Sequence, residues 1–211
     1  MKIGILGAGN MGGTLGRLWS ELGHEICFGL RDIESDKAQR ARSAMGKQAR
    51  CGSAADAAGF ADAVLIAVPW EATQHVLTPL AQRLAGKVLI DCTNPIKPDL
   101  SGLAVGHTTS AAEEIARWAP GARVVKAFNT VGANTLEDAR YGDHSASMFI
   151  CGDDEPAKSL VAQLADEIGF EVIDAGPLVE ARYLEPLALL WIHLAIRGKF
   201  GSKIAVKLLR R

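Results

Sequence analysis

Hydrophobic residues occur along the chain in short unbroken runs, separated by longer stretches in which they recur with helical spacing. The runs predict strands at residues 2–6, 25–29, 48–51, 63–68, 87–91, 122–128, 147–152 and 170–176. The longer stretches, chiefly 10–22, 34–45, 71–84, 110–119 and 153–169, have the period of helices with one apolar face. Strands without polar alternation are buried on both faces, so the pattern predicts an α/β fold with a doubly wound, mostly parallel sheet.

A glycine-rich motif directly follows the first predicted strand. Gly7, Gly9 and Gly12 have the spacing GxGxxG and lie where the first helix begins. The first glycine permits a tight turn, the second lets the backbone approach a pyrophosphate, and the third lets the helix pack closely on the strand. The start of the helix also favours phosphate. In this context the motif predicts a Rossmann-type dinucleotide site rather than a glycine-rich turn that binds nothing.

The end of the second strand indicates which dinucleotide binds. An NAD site usually has an acidic residue there, and Asp32 lies at about the right distance along the chain. Asp32 comes after the predicted strand tip, however, whereas Arg31 offers a guanidinium that can hold a 2′-phosphate with two hydrogen bonds. Lys37 is a second candidate cation. We therefore predict NADP(H); the alternative is that Arg31 is a surface residue paired with Asp32 or Glu34.

Polar or conformationally restricted residues follow three more predicted strands. They are Val68-Pro69-Trp70, Thr93-Asn94-Pro95 and Asn129-Thr130. Any one of them is compatible with an ordinary turn. In a doubly wound sheet, however, the carboxyl ends of the strands line one crevice in which ligands bind. We therefore expect Asn129 and Thr130 to lie beside the nicotinamide amide or the second substrate.

The pattern changes slightly in the last third of the chain. We divide the chain into an NAD(P)-binding Rossmann domain, residues 1–140, and a small C-terminal αβ/helical extension, residues 141–211, that completes the substrate crevice. Its apolar helix at 181–196, interrupted early by Pro186, is expected to cover the crevice or to form a homodimer surface.

Two histidines and two helix starts lead to specific expectations. His193, in the apolar helix, is expected in the core or at a dimer interface rather than in catalysis. His107 lies in a loop and is a candidate for substrate contact. The cap of the helix that follows it is predicted among residues 108–110, and Asp153 or Asp154 is predicted to cap a later helix.

Composition narrows the class of protein. The 211 residues are 48% hydrophobic with a formal net charge of −1, so we expect a packed core and no nucleic-acid partner. We recognise neither an apolar run of the roughly 18 residues that span a bilayer nor a signal peptide, so we expect no membrane partner and a cytoplasmic location. The scattered cysteines, Cys27, Cys51, Cys92 and Cys151, are expected to be buried free thiols, and no metal site is expected.

The end of the chain is basic. It carries Arg197, Lys199, Lys203, Lys207, Arg210 and Arg211 and no acidic residue. This pattern indicates either a solvated helix face or a basic rim that attracts an anionic cofactor tail.

Several segments together resemble a known enzyme family. The segments "GILGAGNMG", "GLR" after the second strand, "VPWE", "CGDDEPAK", and "DAGPL" followed by "ARYLEPL" are similar, in this order, to NADPH-dependent reductases of the deazaflavin coenzyme F420, the F420H2:NADP oxidoreductases. The segment "KAFNT" is similar to the cytosolic domain of STEAP-type ferric reductases. The nucleotide domain of pyrroline-carboxylate reductase is a more distant relative.

The resemblance implies a role for three loops. The glycine motif would surround the pyrophosphate, Leu30 and Arg31 would hold the 2′-phosphate end, and the loop after the fourth strand would contact the ribose and nicotinamide. With the residues predicted above, the cofactor set is Gly7, Ala8, Gly9, Asn10, Met11, Gly12, Leu30, Arg31, Lys37, Val68, Pro69, Trp70, Asn94 and Asn129. The catalytic candidates are Asn129, Thr130 and His107.

The implied reaction is hydride transfer between NADP(H) and F420 as a small-molecule co-substrate. The cofactors supply the chemistry, and the protein must hold two flat rings with the reacting carbons about 3–3.5 Å apart. No protein acid or base is strictly needed, and a backbone N–H or a hydroxyl such as that of Thr130 would stabilise charge on the reduced deazaflavin. Two alternatives remain open: the same fold reducing a flavin or a ferric chelate, and a non-catalytic NADPH sensor.

Overall fold

The computed structural model of the chain describes residues 1–45 and 49–211. The side chain of Lys37, a predicted cofactor contact, and residue 48 of the predicted third strand lie outside the described part. The strands are β1 Lys2–Leu6, β2 Glu25–Gly29, β3 Ala49–Gly52, β4 Ala63–Ile66, β5 Val88–Asp91, β6 Arg123–Lys126, β7 Arg140–Tyr141, β8 His144–Ser145, β9 Ser147–Gly152 and β10 Glu171–Asp174. The helices are α1 Asn10–Glu21, α2 Asp36–Met45, α3 Ala54–Phe60, α4 Trp70–Leu77, α5 Ala81–Leu84, α6 Ala111–Trp118, α7 Ala133–Glu137, α8 Glu155–Asp166 and α9 Ala181–Ile196.

Within this part of the chain, eight strands form one sheet in the order β3-β2-β1-β4-β5-β6-β9-β10. The first six are parallel and have the order of a doubly wound dinucleotide-binding sheet. Strand β9 pairs antiparallel with β6, and β10 runs parallel to β9. The predicted fold class is confirmed. The carboxyl ends of β1, β2, β4, β5 and β6 therefore lie at one edge of the sheet.

Each face of the sheet is covered by its own apolar cluster. Ile3 and Ile5 of β1 point to one face, where Trp19 and Phe28 are fully buried. Leu6 lies in the cluster on the other face. Burial on both faces explains why the strands are apolar at successive positions.

Pro79 and Pro186 have different effects on the helical segments that contain them. The predicted helix at 71–84 is broken into α4, a 3₁₀ turn at Thr78–Leu80 and α5. Pro79 lies in that turn and has no N–H with which to continue the helical ladder. The predicted interruption at Pro186 is wrong, because α9 runs through it as one helix. Pro186 removes its own N–H from the helical ladder, yet α9 continues to Ile196.

Three strands end earlier than predicted, among them β10, which ends at Asp174 rather than residue 176. Strand β4 ends at Ile66 rather than residue 68, and β6 ends at Lys126 rather than residue 128. After β6 the backbone turns sharply, since Phe128 has a φ of +61°. Two cap predictions are confirmed: Ser110 caps α6 and Asp154 caps α8.

The basic tail is not a helix, so the prediction of a solvated helix face is wrong. Residues 203–211 have no regular secondary structure and run past the start of β9. The amide N–H of Ser147 donates to the carbonyl of Val206 at 2.9 Å, and Lys207 pairs with Glu171. The indole Nε1 of Trp191 donates to the carbonyl of Ile204 at 2.8 Å and holds the tail on α9.

The structure bears on three further expectations, which concern His193, the cysteines and membrane-spanning helices. His193 is exposed, so its predicted place in the core is wrong; a dimer-interface role stays a prediction. All four cysteines are free, and three are buried as expected, while Cys51 is half-buried. Among the helices of residues 1–45 and 49–211, none is long and apolar enough to cross a membrane.

Candidate active site

The glycine motif forms a tight turn between β1 and α1. Gly7 has a φ of +103°, which side chains rarely tolerate, and a Cβ there would lie 2.6 Å from the carbonyl oxygen of Ala67. A Cβ on Gly12 would lie 2.2 Å from the carbonyl oxygen of Gly7. A Cβ on Gly9, by contrast, would meet nothing within 4 Å. Gly7 and Gly12 are thus required by the fold, whereas Gly9 leaves open space.

The start of α1 is suited to an anion. No side chain caps it, and its first turn contains no acidic residue. Its first N–H groups and its partial positive charge are therefore available to a phosphate. Asn10 is exposed, while Ala8 and Met11 are half-buried against the core. One side of the loop therefore packs on the protein interior, and the other side faces solvent.

The loop that carries Arg31 is hydrogen-bonded to the same framework. The N–H of Gly7 donates to the carbonyl of Gly29 at 3.1 Å, and the N–H of Leu30 donates to Gly52 at 2.9 Å. Arg31 is exposed and forms no ion pair with the residues that the structure describes. Its predicted alternative partner Asp32 instead accepts from the N–H of Glu34 at 2.9 Å and closes a turn.

The loop after β4 lies against the glycine turn. A Cβ built on Gly7 would be 3.1 Å from Cγ1 of Val68. Pro69 is the N-cap residue of α4 and is exposed. The ring of Trp70 stacks on Trp118 of α6, with ring centroids 5.2 Å apart. The indole therefore packs α4 on α6 and fixes the start of α4 beside the glycine turn.

Asn94 and Asn129 hold each other where β5 and β6 end. The side-chain amide of Asn94 donates to the carbonyl of Asn129 at 2.8 Å. In return, Nδ2 of Asn129 donates to Oδ1 of Asn94 and to the carbonyl of Leu184 in α9, both at 3.1 Å. Two predicted site residues are thus brought together, and α9 is tied to them.

Two polar atoms beside this pair are buried without a hydrogen-bond partner in the described part of the chain. They are Oδ1 of Asn129 and Oγ1 of Thr130. Leaving such an atom unpaired costs about 1–3 kcal/mol. Both atoms lie just after the end of β6 but have almost no accessible surface, so a bound amide reaches them only when the surrounding side chains shift.

A buried charge cluster lies beneath the pair, and sequence reasoning missed it. Nζ of Lys126 is 2.8 Å from Oδ2 of Asp91 and 2.8 Å from Oε1 of Glu185, and all three side chains are at most 1% exposed. Burial alone would lower the pKa of Lys126, but the two carboxylates outweigh it and raise that pKa. Burial raises the pKa of Glu185. The only indication of this cluster in the sequence was that each of three apolar segments carries one charged residue.

No hydrogen bond among the described residues joins the His107 side chain to the Asn94–Asn129 pair or to the buried charge cluster. His107 is exposed, and its φ of +64° places it in a strained turn before α6. Its role as a substrate contact stays a prediction. In the described residues, no cluster of three or more acidic, cysteine or histidine side chains could hold a metal ion.

Comparisons with known proteins identify the family of the chain. Residues 2–95 match the family model described as NADP oxidoreductase, coenzyme F420-dependent. The F420-dependent NADP reductase of Methanothermobacter marburgensis is 34% identical over 96% of this chain and 96% of its own. The chain belongs to the F420-dependent NADP reductase family.

Other members and relatives extend this result. The crystal structure of a candidate F420-dependent NADP reductase from Arthrobacter sp. FB24 covers all of both chains, with 33% identity and a TM-score of 0.89. The rat metalloreductase STEAP3 is 32% identical over 89% of this chain, which spans 36% of that protein. A pyrroline-5-carboxylate reductase from Coxiella burnetii, at 17% identity and a TM-score of 0.60, shares the fold.

Proposed function

We propose that the protein transfers a hydride between NADP(H) and the deazaflavin coenzyme F420. The observation that carries the proposal is the open glycine turn at Gly9, which is hydrogen-bonded through Gly7 to the tip of β2. Arg31, which follows that tip, pairs with no acidic residue among those the structure describes. Together they offer a pyrophosphate site and a cation for a 2′-phosphate. The family membership supplies the second ring system.

The residues of this chain bind and orient, and the bound nicotinamide supplies the hydride. The backbone of residues 7–12 would hold the pyrophosphate, and Arg31 would hold the 2′-phosphate. Val68 and the start of α4 would support the ribose. The Asn94–Asn129 pair, where β5 and β6 end, would lie beside the carboxamide and set the face of the ring that meets the deazaflavin.

An anaerobic spectrophotometric assay tests the proposal. Purified protein is mixed with NADPH and oxidised F420, with NADH, FMN and an Fe(III) chelate in parallel. We expect the deazaflavin absorbance to bleach with NADPH and much more slowly with NADH. Turnover only with FMN or the chelate would contradict F420 as the acceptor, and tight NADPH binding without turnover of any acceptor would indicate a sensor.

We also infer that 1–140 bind the dinucleotide and that 141–211 complete the crevice. Asn129 is held by the carbonyl of Leu184, so α9 contributes to the crevice floor.

The three buried free thiols support a reducing, cytoplasmic location. Cell fractionation tests the location, and a membrane-pellet result would contradict it.

A homodimer through α9 is part of the proposal. Tyr183, Leu190 and Leu194 are exposed on one face of α9, as their spacings of seven and four residues require. Such a patch favours burial against a second copy. Sedimentation velocity should show a dimer, and Leu190→Glu should yield monomers while Arg40→Glu, on the exposed side of α2, should not. A monomeric native protein would refute the dimer.

A further inference from the structure

We propose that Lys126, Asp91 and Glu185 are positioning residues that set the geometry of the Asn94–Asn129 pair during hydride transfer. The inference rests on the proposed function for its kinetic consequence, while its structural part stands independently. None of the three side chains reaches the crevice, so each would act through a neighbour.

Two members of the cluster, Lys126 and Asp91, hold Thr93, the residue that precedes Asn94. Nζ of Lys126 donates to the carbonyl of Thr93 at 2.7 Å, immediately before Asn94. Oδ1 of Asp91 accepts from the N–H and hydroxyl of Thr93, at 2.8 and 2.7 Å. The turn at 91–94 is therefore fixed from two sides by buried charged groups.

Glu185 links the same lysine to two helices. Its carboxylate accepts from the N–H groups of Ala111 and Ala112, at 3.0 and 3.2 Å, where α6 begins. The preceding residue, Leu184, supplies the carbonyl that accepts from Asn129. The position of Leu184, and hence the orientation of the Asn129 amide, depends on where Glu185 is anchored.

The charge arrangement explains why the cluster is tolerated. One ammonium lies between two carboxylates, and the partial positive charge of the α6 start offsets the excess negative charge. Burying such ions is expensive, and apolar replacements of a buried ion pair are often neutral or stabilising. Stability alone therefore does not account for three fully buried ions, whereas fixed hydrogen-bond directions do.

The test compares Glu185→Gln with Arg182→Met. Arg182 also ties α9 to α6, through Glu113 at 2.6 and 2.9 Å, but has no bond to the Asn94–Asn129 pair. In Glu185→Gln we expect kcat to fall at least ten-fold with the dissociation constant of NADPH changed less than two-fold. In Arg182→Met both should stay within about two-fold. Equal kcat losses in the two variants would overturn the proposal.

A second readout does not depend on activity. Hydrogen exchange of the Asn129 side-chain amide, followed by NMR on the full chain, should be slow in the native protein and in Arg182→Met. It should be fast in Glu185→Gln, and unchanged exchange there would overturn the proposal. If the native protein transfers no hydride, the proposed function fails, yet this measurement still decides the positioning role.

Thr93→Val covers the case in which Glu185→Gln does not fold. The substitution removes only the hydroxyl group of Thr93, which donates to Asp91, and keeps the shape of the side chain. We expect the same pattern on a smaller scale, a two- to five-fold lower kcat with NADPH binding preserved. An unchanged kcat together with unchanged Asn129 exchange would overturn the proposal.

Discussion

At the scale of single residues, the site depends on a few positions whose chemistry cannot be exchanged. Gly12 is required by packing, because its missing Cβ makes room for the carbonyl of Gly7. Gly9 is required by the ligand, because nothing in the protein fills the space beside it. Arg31 is free to pair with an incoming anion. These three residues have different physical roles although all belong to the predicted cofactor set.

Gly9→Ala and Gly12→Ala should therefore fail in different ways. We expect Gly9→Ala to fold normally but to bind NADPH at least ten-fold more weakly, since the methyl group occupies the phosphate cradle. Gly12→Ala should lose about 1–3 kcal/mol of stability or more through overpacking. Gly13→Ala, whose Cβ would have 3.8 Å to its nearest neighbour, is the control that should do neither. Calorimetry and thermal unfolding measure both quantities, and normal binding by Gly9→Ala would contradict the cradle.

Arg31→Gln should weaken NADPH binding selectively. A charge-assisted hydrogen bond contributes about 1.5–3 kcal/mol, so we expect a loss of about ten- to one-hundred-fold for NADPH and little change for NADH. Arg40→Gln, an exposed cation on α2, is the matched control. Titration of each variant with both dinucleotides measures the ratio, and an equal loss for both would rule out the 2′-phosphate role.

The cysteines should differ in reactivity. Burial raises the pKa of Cys92 and of Cys151 to about 12, so these thiols are protonated at neutral pH. Because the thiolate is the nucleophile, iodoacetamide at pH 8 should label half-buried Cys51 first. Mass spectrometry of the native protein gives the order, and early labelling of Cys92 would show that its surroundings open.

At the scale of elements, the apolar runs predicted the strands of the main sheet well, because a buried parallel strand leaves a contiguous apolar signal. Short elements gave no such signal. Helix α7 and the β7–β8 hairpin are too short for a period to be seen. The tail at 203–211 was misassigned, because its hydrogen bonds to Ser147 and Trp191 are tertiary and leave no local pattern.

Trp191→Phe tests how the tail is held. It removes the donor to the Ile204 carbonyl, and we expect a loss of about 1 kcal/mol in unfolding free energy. Trypsin should also cut at Lys199 or Lys203 faster than in the native protein. Tyr183→Phe, at an exposed position of α9, should change neither, and equal digestion rates would show that the tail is held by other contacts.

At the scale of the whole molecule, cofactor binding should appear as added stability. A ligand at one hundred times its dissociation constant adds about 2.7 kcal/mol, which for a chain of this size raises Tm by about 5–10 °C. We expect that rise with NADPH and a smaller one with NADH at equal concentration. Differential scanning fluorimetry measures both, and equal shifts would contradict the preference for NADPH.

The candidate site itself was only partly predictable. The glycine motif and the strand ends are local in sequence, so Gly7, Asn94 and Asn129 could be named in advance. The link from Asn129 to Leu184, and the cluster of Lys126, Asp91 and Glu185, join segments far apart in the chain. A single charged residue in an apolar run gives no indication of its partner until the sheet order is known.

The place of β1 in the sheet has a consequence for biosynthesis. Strand β1 is translated before both β2 and β4, yet it lies between them in the sheet. Its neighbour β4 is translated only after β2, β3 and helices α1 to α3 have followed. Until β4 is made, one edge of the apolar strand β1 stays unpaired in the nascent chain. Chaperones bind at this stage because apolar surface and an unpaired strand edge are exposed. Slowing translation before β4 should therefore increase misfolding, whereas slowing it after β10, when all strands of this sheet have been made, should not.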